Sequence, residues 1–261
     1  MGEMNDKKGG NQFMQYRPVL IALIAGICAI ICVSIMTGNV VDYKRSAAGS
    51  GFSATGSASV DFESDLVVWR GSFSVHGDTP KEAYAQIRRD GEIVRSYLQE
   101  SGVTEDEMIF SSVSISQTYT SRYDEEGRYI GDEPDGYELT QAMTVTSQDI
   151  DKVELISRDI SKLIESGVVL ESDSPEYYYT KLDELKLDLI SKATANAKER
   201  IDLMAEGCGA RTGKLLTSSL GVFQITATNS GTESYSYGGS FNTSSRYKTA
   251  NITVRLNYSV Q

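Results

Sequence analysis

Histidine is almost missing from this chain: among 261 residues there is one, His76. Any His-based catalytic site therefore has a single candidate. Cysteine is nearly as scarce. Of the three, Cys28 and Cys32 lie in an apolar run near the start, and Cys208 stands alone in the remainder. No disulfide can close within that remainder, and a Cys-rich zinc site is excluded. Basic residues are outnumbered, 25 Lys and Arg against 36 Asp and Glu, for a formal net charge of −11. Five of the basic and three of the acidic residues precede residue 46, so the rest is more acidic still. A phosphate-tracking surface needs clustered Lys and Arg, and no such cluster is present. No nucleic-acid partner is expected, and anionic membrane surfaces should repel this part. The 40% apolar and 23% charged composition suits a packed core, not a disordered chain.

Long hydrophobic runs are missing too, with one exception. Residues 19–36, VLIALIAGICAIICVSIM, carry no charge. As a helix they would span ~27 Å, close to the ~30 Å hydrocarbon core of a bilayer. Pro18 suits the first turn of such a helix. The run is longer than the ~7–15 residues of a signal-peptide core, and its exit, Ser34 to Gly38, lacks the small residues of a cleavage site. We read it as an uncleaved signal anchor. Ile27 and Ile31 before the cysteines argue against a lipoprotein. Lys7, Lys8 and Arg17 precede the run and Lys44 and Arg45 follow it. That slight excess places the N-terminus in the cytoplasm and the large C-terminal part outside it. The division expected is a cytoplasmic segment 1–18, a transmembrane anchor 19–36, a Gly/Ser/Ala-rich tether 37–52 and an exported domain 53–261.

Within the exported part, period-2 and period-3.6 patterns alternate. A strand is expected over Leu66–His76, with Val67, Trp69, Gly71, Phe73 and Val75 on one face, and Ser53–Phe62 as its hairpin partner. Thr79 reads as an N-cap and Pro80 as the first residue of a helix whose buried stripe is Ala83, Ile87, Val94 and Leu98. Gly102 ends it. Gly91 inside it costs about 1 kcal/mol relative to Ala. Strands follow over Ile109–Tyr119, with Ile109, Val113 and Ile115 on one face, and over Tyr137–Thr146, with Tyr137, Leu139, Met143 and Val145 on one face. The acidic stretch between them reads as a long hairpin tip. A second helix, Asp149–Glu165, turns Val153, Ile156, Ile160 and Leu163 inward. A short strand Val168–Leu170 is extended by Tyr177–Thr180. The longest helix, Lys181–Glu206, carries Leu182, Leu185, Leu189, Ala193, Ala197, Ile201 and Met204 on one stripe. Strand Leu215–Thr226, a Ser/Gly/Tyr-rich loop and a strand with Ala250, Ile252, Val254, Leu256, Tyr258 and Val260 on one face close the chain. The fold class is α+β, with helices packed on a largely antiparallel sheet after one N-terminal transmembrane helix.

No catalytic, cofactor-binding or metal-binding constellation emerges. His76 falls on the polar face of a strand and no Gly-x-Ser-x-Gly elbow is present. The loop acids Asp124, Glu125, Glu126, Asp132, Glu133 and Asp135 do not have the spacing of an EF-hand and read as a solvated tip. Cys208 follows a helix C-terminus, where the dipole disfavours a thiolate. The candidate interaction residues are Tyr119, Tyr123, Tyr129 and Ile130, apolar contact area on a tip kept soluble by acids.

Four features, taken in order, resemble the SIMPL-domain family of YggE-like exported proteins over residues ~55–261. Gly136-Tyr137 opens the strand after a long hairpin tip. Ser166-Gly167-Val168 precedes a short strand. An Ala-rich helix from Leu189 to Arg200 runs into Ala205-Glu-Gly-Cys-Gly-Ala. An alternating strand ends the chain. Gly221-Val-Phe-Gln-Ile-Thr226 and Thr243-Ser-Ser245 resemble a membrane-anchored bacterial branch. The resemblance implies an exported, often oligomeric bacterial protein with loose links to envelope and oxidative stress, and no established active site. The function expected is a non-enzymatic, self-associating module anchored in the cell membrane, with no cofactor. The alternatives are a ligand- or protein-binding sensor that uses its Tyr-rich loops, and an envelope hydrolase that works with acids alone.

Overall fold

A computed structural model describes residues 26–28, 30, 31, 33, 34, 51–230 and 238–261. Most of the expected segments 1–18, 19–36 and 37–52 lies outside these residues. The described part of 19–36 is helical; among the described residues no helix is long and apolar enough to cross a membrane. Gly51 and Phe52, expected in the tether, already belong to the first strand.

The chain is α+β. In order, β1 (Gly51–Glu63) and β2 (Leu66–Gly77) lead to α1 (Pro80–Glu100). A 3₁₀ turn at Glu105–Glu107 precedes β3 (Met108–Phe110), β4 (Ser114–Tyr123) and β5 (Tyr129–Ser147). Then come α2 (Ile150–Asp159), a 3₁₀ helix Ile160–Ser166, β6 (Leu170–Ser172), β7 (Glu176–Tyr178), α3 (Leu182–Gly207), β8 (Thr212–Leu220), β9 (Gln224–Ala227) and β10 (Tyr247–Val260). One sheet has the order β3-β5-β2-β6, with β4 also on β5 and β7 also on β2; the other has the order β1-β10-β8, with β9 on β10. Among the described residues two compact units separate: Ser57–Asn196 with Leu220–Val254, and Ala197–Ser219 with Arg255–Gln261 and residues 51–56.

In the larger unit the helices cover one face of the six-stranded sheet. Val67, Trp69 and Phe73 of β2 and Leu139, Met143 and Val145 of β5 share one core with Ala83, Ile87, Val94 and Leu98 of α1, and with Val153 and Ile156 of α2 and Ile160 and Leu163 of the 3₁₀ helix. These are the stripes that the periodicity picks out. Trp69 satisfies its indole N–H at the edge of this core, donating to Ser172 Oγ at 3.0 Å and the Asp173 carbonyl at 3.1 Å. Thr79 caps α1 as expected, accepting from the Glu82 N–H at 3.3 Å. Asp149 does the same for α2, accepting from the Lys152 N–H at 3.1 Å. The smaller unit buries Ala197, Ile201, Ala205 and Leu256. There Arg200 donates to the Thr55 carbonyl at 3.1 Å, and the Lys198 ammonium sits 5.2 Å from the Tyr258 ring centroid.

Several expectations need correction. The 51–63 segment is a strand, but it pairs with β10 and not with β2. Both edges of β2 are taken, one by β5 and the other by β6 and β7. Ser64 and Asp65 are thus a crossing between sheets: the Ser64 N–H donates to the Arg246 carbonyl at 2.9 Å and the Asp65 N–H to Tyr178 at 3.0 Å. The inward face of the next strand is also shifted. Met108 and Phe110 oppose Val145 and Met143, so Ile109 points outward and is 69% exposed. Ser111 breaks the strand by bonding Ala142 through both its N–H and its Oγ, which resets the phase before Ile115. On α3 the last buried position is Ala205 and not Met204. The strand expected over Leu215–Thr226 is split into β8 and β9.

Candidate functional site

The long hairpin tip expected here is a hairpin, and its arms are strand almost to the turn. β4 and β5 stay paired from Ser114↔Thr140 out to Tyr123↔Tyr129, leaving only a short turn. Alongside, β2 ends at Gly77, which opposes Tyr137. Beyond that point β5 has β4 as its one partner among the described residues, so residues 119–134 form a two-stranded ribbon with free edges on both sides.

The ribbon is pinned at its base by the single histidine. His76 Nε2 lies 2.5 Å from the Asp135 carbonyl oxygen and 3.2 Å from Thr118 Oγ1. A carbonyl only accepts, so Nε2 carries the proton and donates it there. Both residues sit at irregularities in the ladder. Thr118 lies at the register shift between Gln117 and Tyr119, and Asp135 precedes Gly136, whose φ is +101°. A Cβ at Gly136 would stand 2.7 Å from the Gly77 carbonyl, so the position needs glycine twice over. His76 thus has a holding role, with its Nε2 committed to a backbone oxygen.

Tyr119, Tyr123, Tyr129 and Ile130 all lie on this ribbon, 58%, 62%, 56% and 56% exposed. Tyr123 and Tyr129 oppose each other at the tip, their rings edge to face with centroids 6.1 Å apart. Tyr119 donates its hydroxyl to Gln117 Oε1 at 3.0 Å. A hydrogen bond to Asp132 raises the Tyr129 phenol above its usual range. The neighbouring acids serve the ribbon itself. Asp124 accepts from the N–H groups of Arg128 and Glu126 at 2.8 and 3.0 Å and from Arg128 Nε at 2.8 Å, which closes the turn. The Arg128 backbone N–H is the first cause that holds its carboxyl below the ordinary value. Glu126 pairs with Arg128, Glu133 with Arg122 at 3.3 Å, and Asp132 accepts from Ser121 at 2.8 Å. Such exposed pairs add little stability, but they spread the charge. Among the described residues no group of three His, Cys, Asp or Glu could hold a metal ion.

Two functional-looking residues escape a motif reading. Lys248 is 1% exposed on the inward face of β10. Its parity with Ala250, Ile252 and Val254 is the signal that marks it as buried. Arg246 gathers three carboxylates, Glu63 at 2.6 Å, Asp151 at 2.5 Å and Glu154 at 3.8 Å, and Glu154 also accepts the Tyr177 hydroxyl at 2.9 Å. No local pattern announces this hub, because its members lie far apart in the chain. Cys208 is exposed after α3, its N–H bonded back to Met204 and Ala205.

No curated protein matches the chain. Residues 52–260 match the model of the SIMPL family, whose description is protein of unknown function (DUF541), and the chain belongs to that family.

Proposed function

We propose that the chain is a non-enzymatic module, anchored by residues 19–36 with its SIMPL domain outside the cytoplasmic membrane, which self-associates through the β4–β5 ribbon. The ribbon is the observation that carries this reading: four large apolar or aromatic side chains, more than half exposed, on a two-stranded element with open edges. Such edges need pairing or cover. The commitment of His76 Nε2 to the Asp135 carbonyl supports a non-catalytic reading. The anchor is supported by the run length and by the outward-facing Ile27, Ile30, Ile31 and Val33 on its described helical part, which suit lipid contact. Protection of the envelope under stress enters only through the family resemblance.

The test is the mass of the detergent-extracted full chain by light scattering, alongside a variant in which residues 120–134 are replaced by Asn-Gly. The expected result is an oligomer that loses mass in the variant while the circular dichroism stays unchanged. A parent chain that is monomeric at tens of micromolar, roughly a local concentration on a membrane, overturns it.

A further inference from the structure

Gly91, the helix-weakening residue in the middle of α1, opens a recess of about 130 Å³ between α1 and the β3–β5 side of the sheet. Its apolar wall is Phe110 and Val113. At its base lies Gln141, whose Nε2 donates to the Ser111 carbonyl at 2.9 Å. The amide is thereby oriented with Oε1 toward the helix: a Cβ at position 91 would come within 3.3 Å of that oxygen. Two guanidinium groups stand at the rim. Arg95 is fixed, 4.7 Å over the Phe110 ring and 2.7 Å from Glu105. Arg88 is exposed on the preceding turn and forms no ion pair among the described residues. Tyr84 adds a hydroxyl and Glu92 the single acid. With Arg95 committed to Glu105, Arg88 is the lining cation without an ion pair among the described residues, and Glu92 is the acid on the same helix wall.

We propose that this recess binds a small carboxylic acid with a compact apolar body, an aromatic monocarboxylate being the best fit. The recess is open to solvent and its lining is mixed, Phe110 and Val113 beside Arg88, Arg95, Glu92 and Gln141, and its volume of about 130 Å³ admits one small ring. The ring rests on Val113 and the edge of Phe110, whose face Arg95 covers, and the carboxylate meets Arg88, whose planar fork matches two oxygens at once. A cation is disfavoured by the Arg88 guanidinium, which has no ion-pair partner among the described residues. A phosphate is disfavoured by the apolar wall and by the prior engagement of Arg95 with Glu105. The site lies on α1 and stands independently of assembly through the ribbon.

Saturation-transfer NMR on the full chain, with benzoate as probe and benzylamine as its charge-reversed control, tests this. Benzoate is expected to bind saturably with a Kd in the roughly millimolar range or tighter, and benzylamine not at all. Arg88→Gln, a surface change, should weaken benzoate at least tenfold, and Gly91→Ala, which favours the helix and sets a methyl 3.3 Å from Gln141 Oε1 at the recess wall, should weaken it as well. N-acetylphenylalanine separates the sources: binding tighter than benzoate assigns the site to a chain terminus, weaker binding to a free acid, and both support the recess. Absence of benzoate and N-acetylphenylalanine signals, equal binding of benzylamine, or an affinity unchanged in both variants overturns the proposal.

Discussion

The ammonium group of Lys248 donates a hydrogen bond to the main-chain carbonyl of Tyr177. The bond runs from β10 of one sheet to β7 of the other, inside the larger unit. The Phe241 ring centroid lies 5.8 Å from the same nitrogen. Burial pulls the Lys248 amine down from its ordinary value to about 8, because a desolvated ammonium is disfavoured.

That depression has a definite sign. Between pH 8 and 10.5 the unfolded chain holds a proton on Lys248 that the folded chain has released, so stability rises with pH across this window. The slope contributed is at most about 1.4 kcal/mol per pH unit. Burial, then the bond to Glu154, lifts the Tyr177 phenol to about 12, which works in the opposite direction above pH 10. Urea denaturation from pH 8 to 10 should therefore show rising stability that flattens in Lys248→Met. An identical rise in the variant would assign the effect to another group.

Glu107 should govern the acid side. Burial by itself would raise its carboxyl, but the Ser147 hydroxyl, the Thr104 N–H at 2.9 Å and the Lys152 ammonium at 3.0 Å outweigh it and hold the group at about 2. A depressed acid stabilises the fold above its unfolded value, and that contribution fades as pH falls from 4.5 toward 2. Glu107→Gln should cost about 1–3 kcal/mol at pH 7, since it weakens three bonds in a partly buried site, and much less near pH 2. Melting curves at the two pH values decide it.

Leu189 and Ala197 are fully buried on α3. An aspartate at either has no partner and must be desolvated, at several kcal/mol, so Leu189→Asp and Ala197→Asp should fail to fold. Glu199→Ala, on the exposed side, should shift stability by less than ~0.5 kcal/mol. Thermal melts of the three proteins, if indistinguishable, would place the buried stripe elsewhere.

Two glycines of β5 separate strain from collision. Gly136 and Gly131 both have positive φ, +101° and +128°. Only Gly136 is crowded: nothing lies within 4 Å of a Cβ built at Gly131. Gly131→Ala should lose about 1 kcal/mol through backbone strain alone. Gly136→Ala should lose clearly more, with His76 displaced from the Asp135 carbonyl, visible as a shifted imidazole resonance in NMR.

Where one face of an element is buried along its whole length, its period is written in the residues. The stripes of α1 and α2, the β2 face through Val67, Trp69 and Phe73, and the alternation of β10 from Lys248 to Leu256 are legible for that reason, while Val260 on the same face is exposed. The α1 stripe still hides one surprise. Its fifth buried member is Asp90, tolerated because Gln86 Nε2 donates to it at 2.7 Å, and no hydropathy pattern anticipates a buried acid. Pairing partners were less legible. Nothing in the local sequence says that β2 has no free edge for β1, since that depends on β6 and β7, which lie a hundred residues downstream. The hairpin is legible, but how far its strands run is not, because they carry acids on exposed positions, and a two-stranded element with no buried face has no hydrophobic period to read. Tyr119, Tyr123, Tyr129 and Ile130 could be picked out as exposed aromatic and apolar residues. The recess beside Gly91 could not, because its walls come from α1, β3 and β5.

β5 is a single strand that begins at the ribbon tip and ends in the core, bonded to β2 without interruption from Tyr137 to Ser147. Hydrogen bonds in an antiparallel ladder run across the strands. A force applied to the ribbon along its axis is therefore carried as shear, shared by all the pairs of that ladder at once, and not peeled from one pair to the next. A handle built this way transmits tension into the middle of the sheet, directly beneath α1.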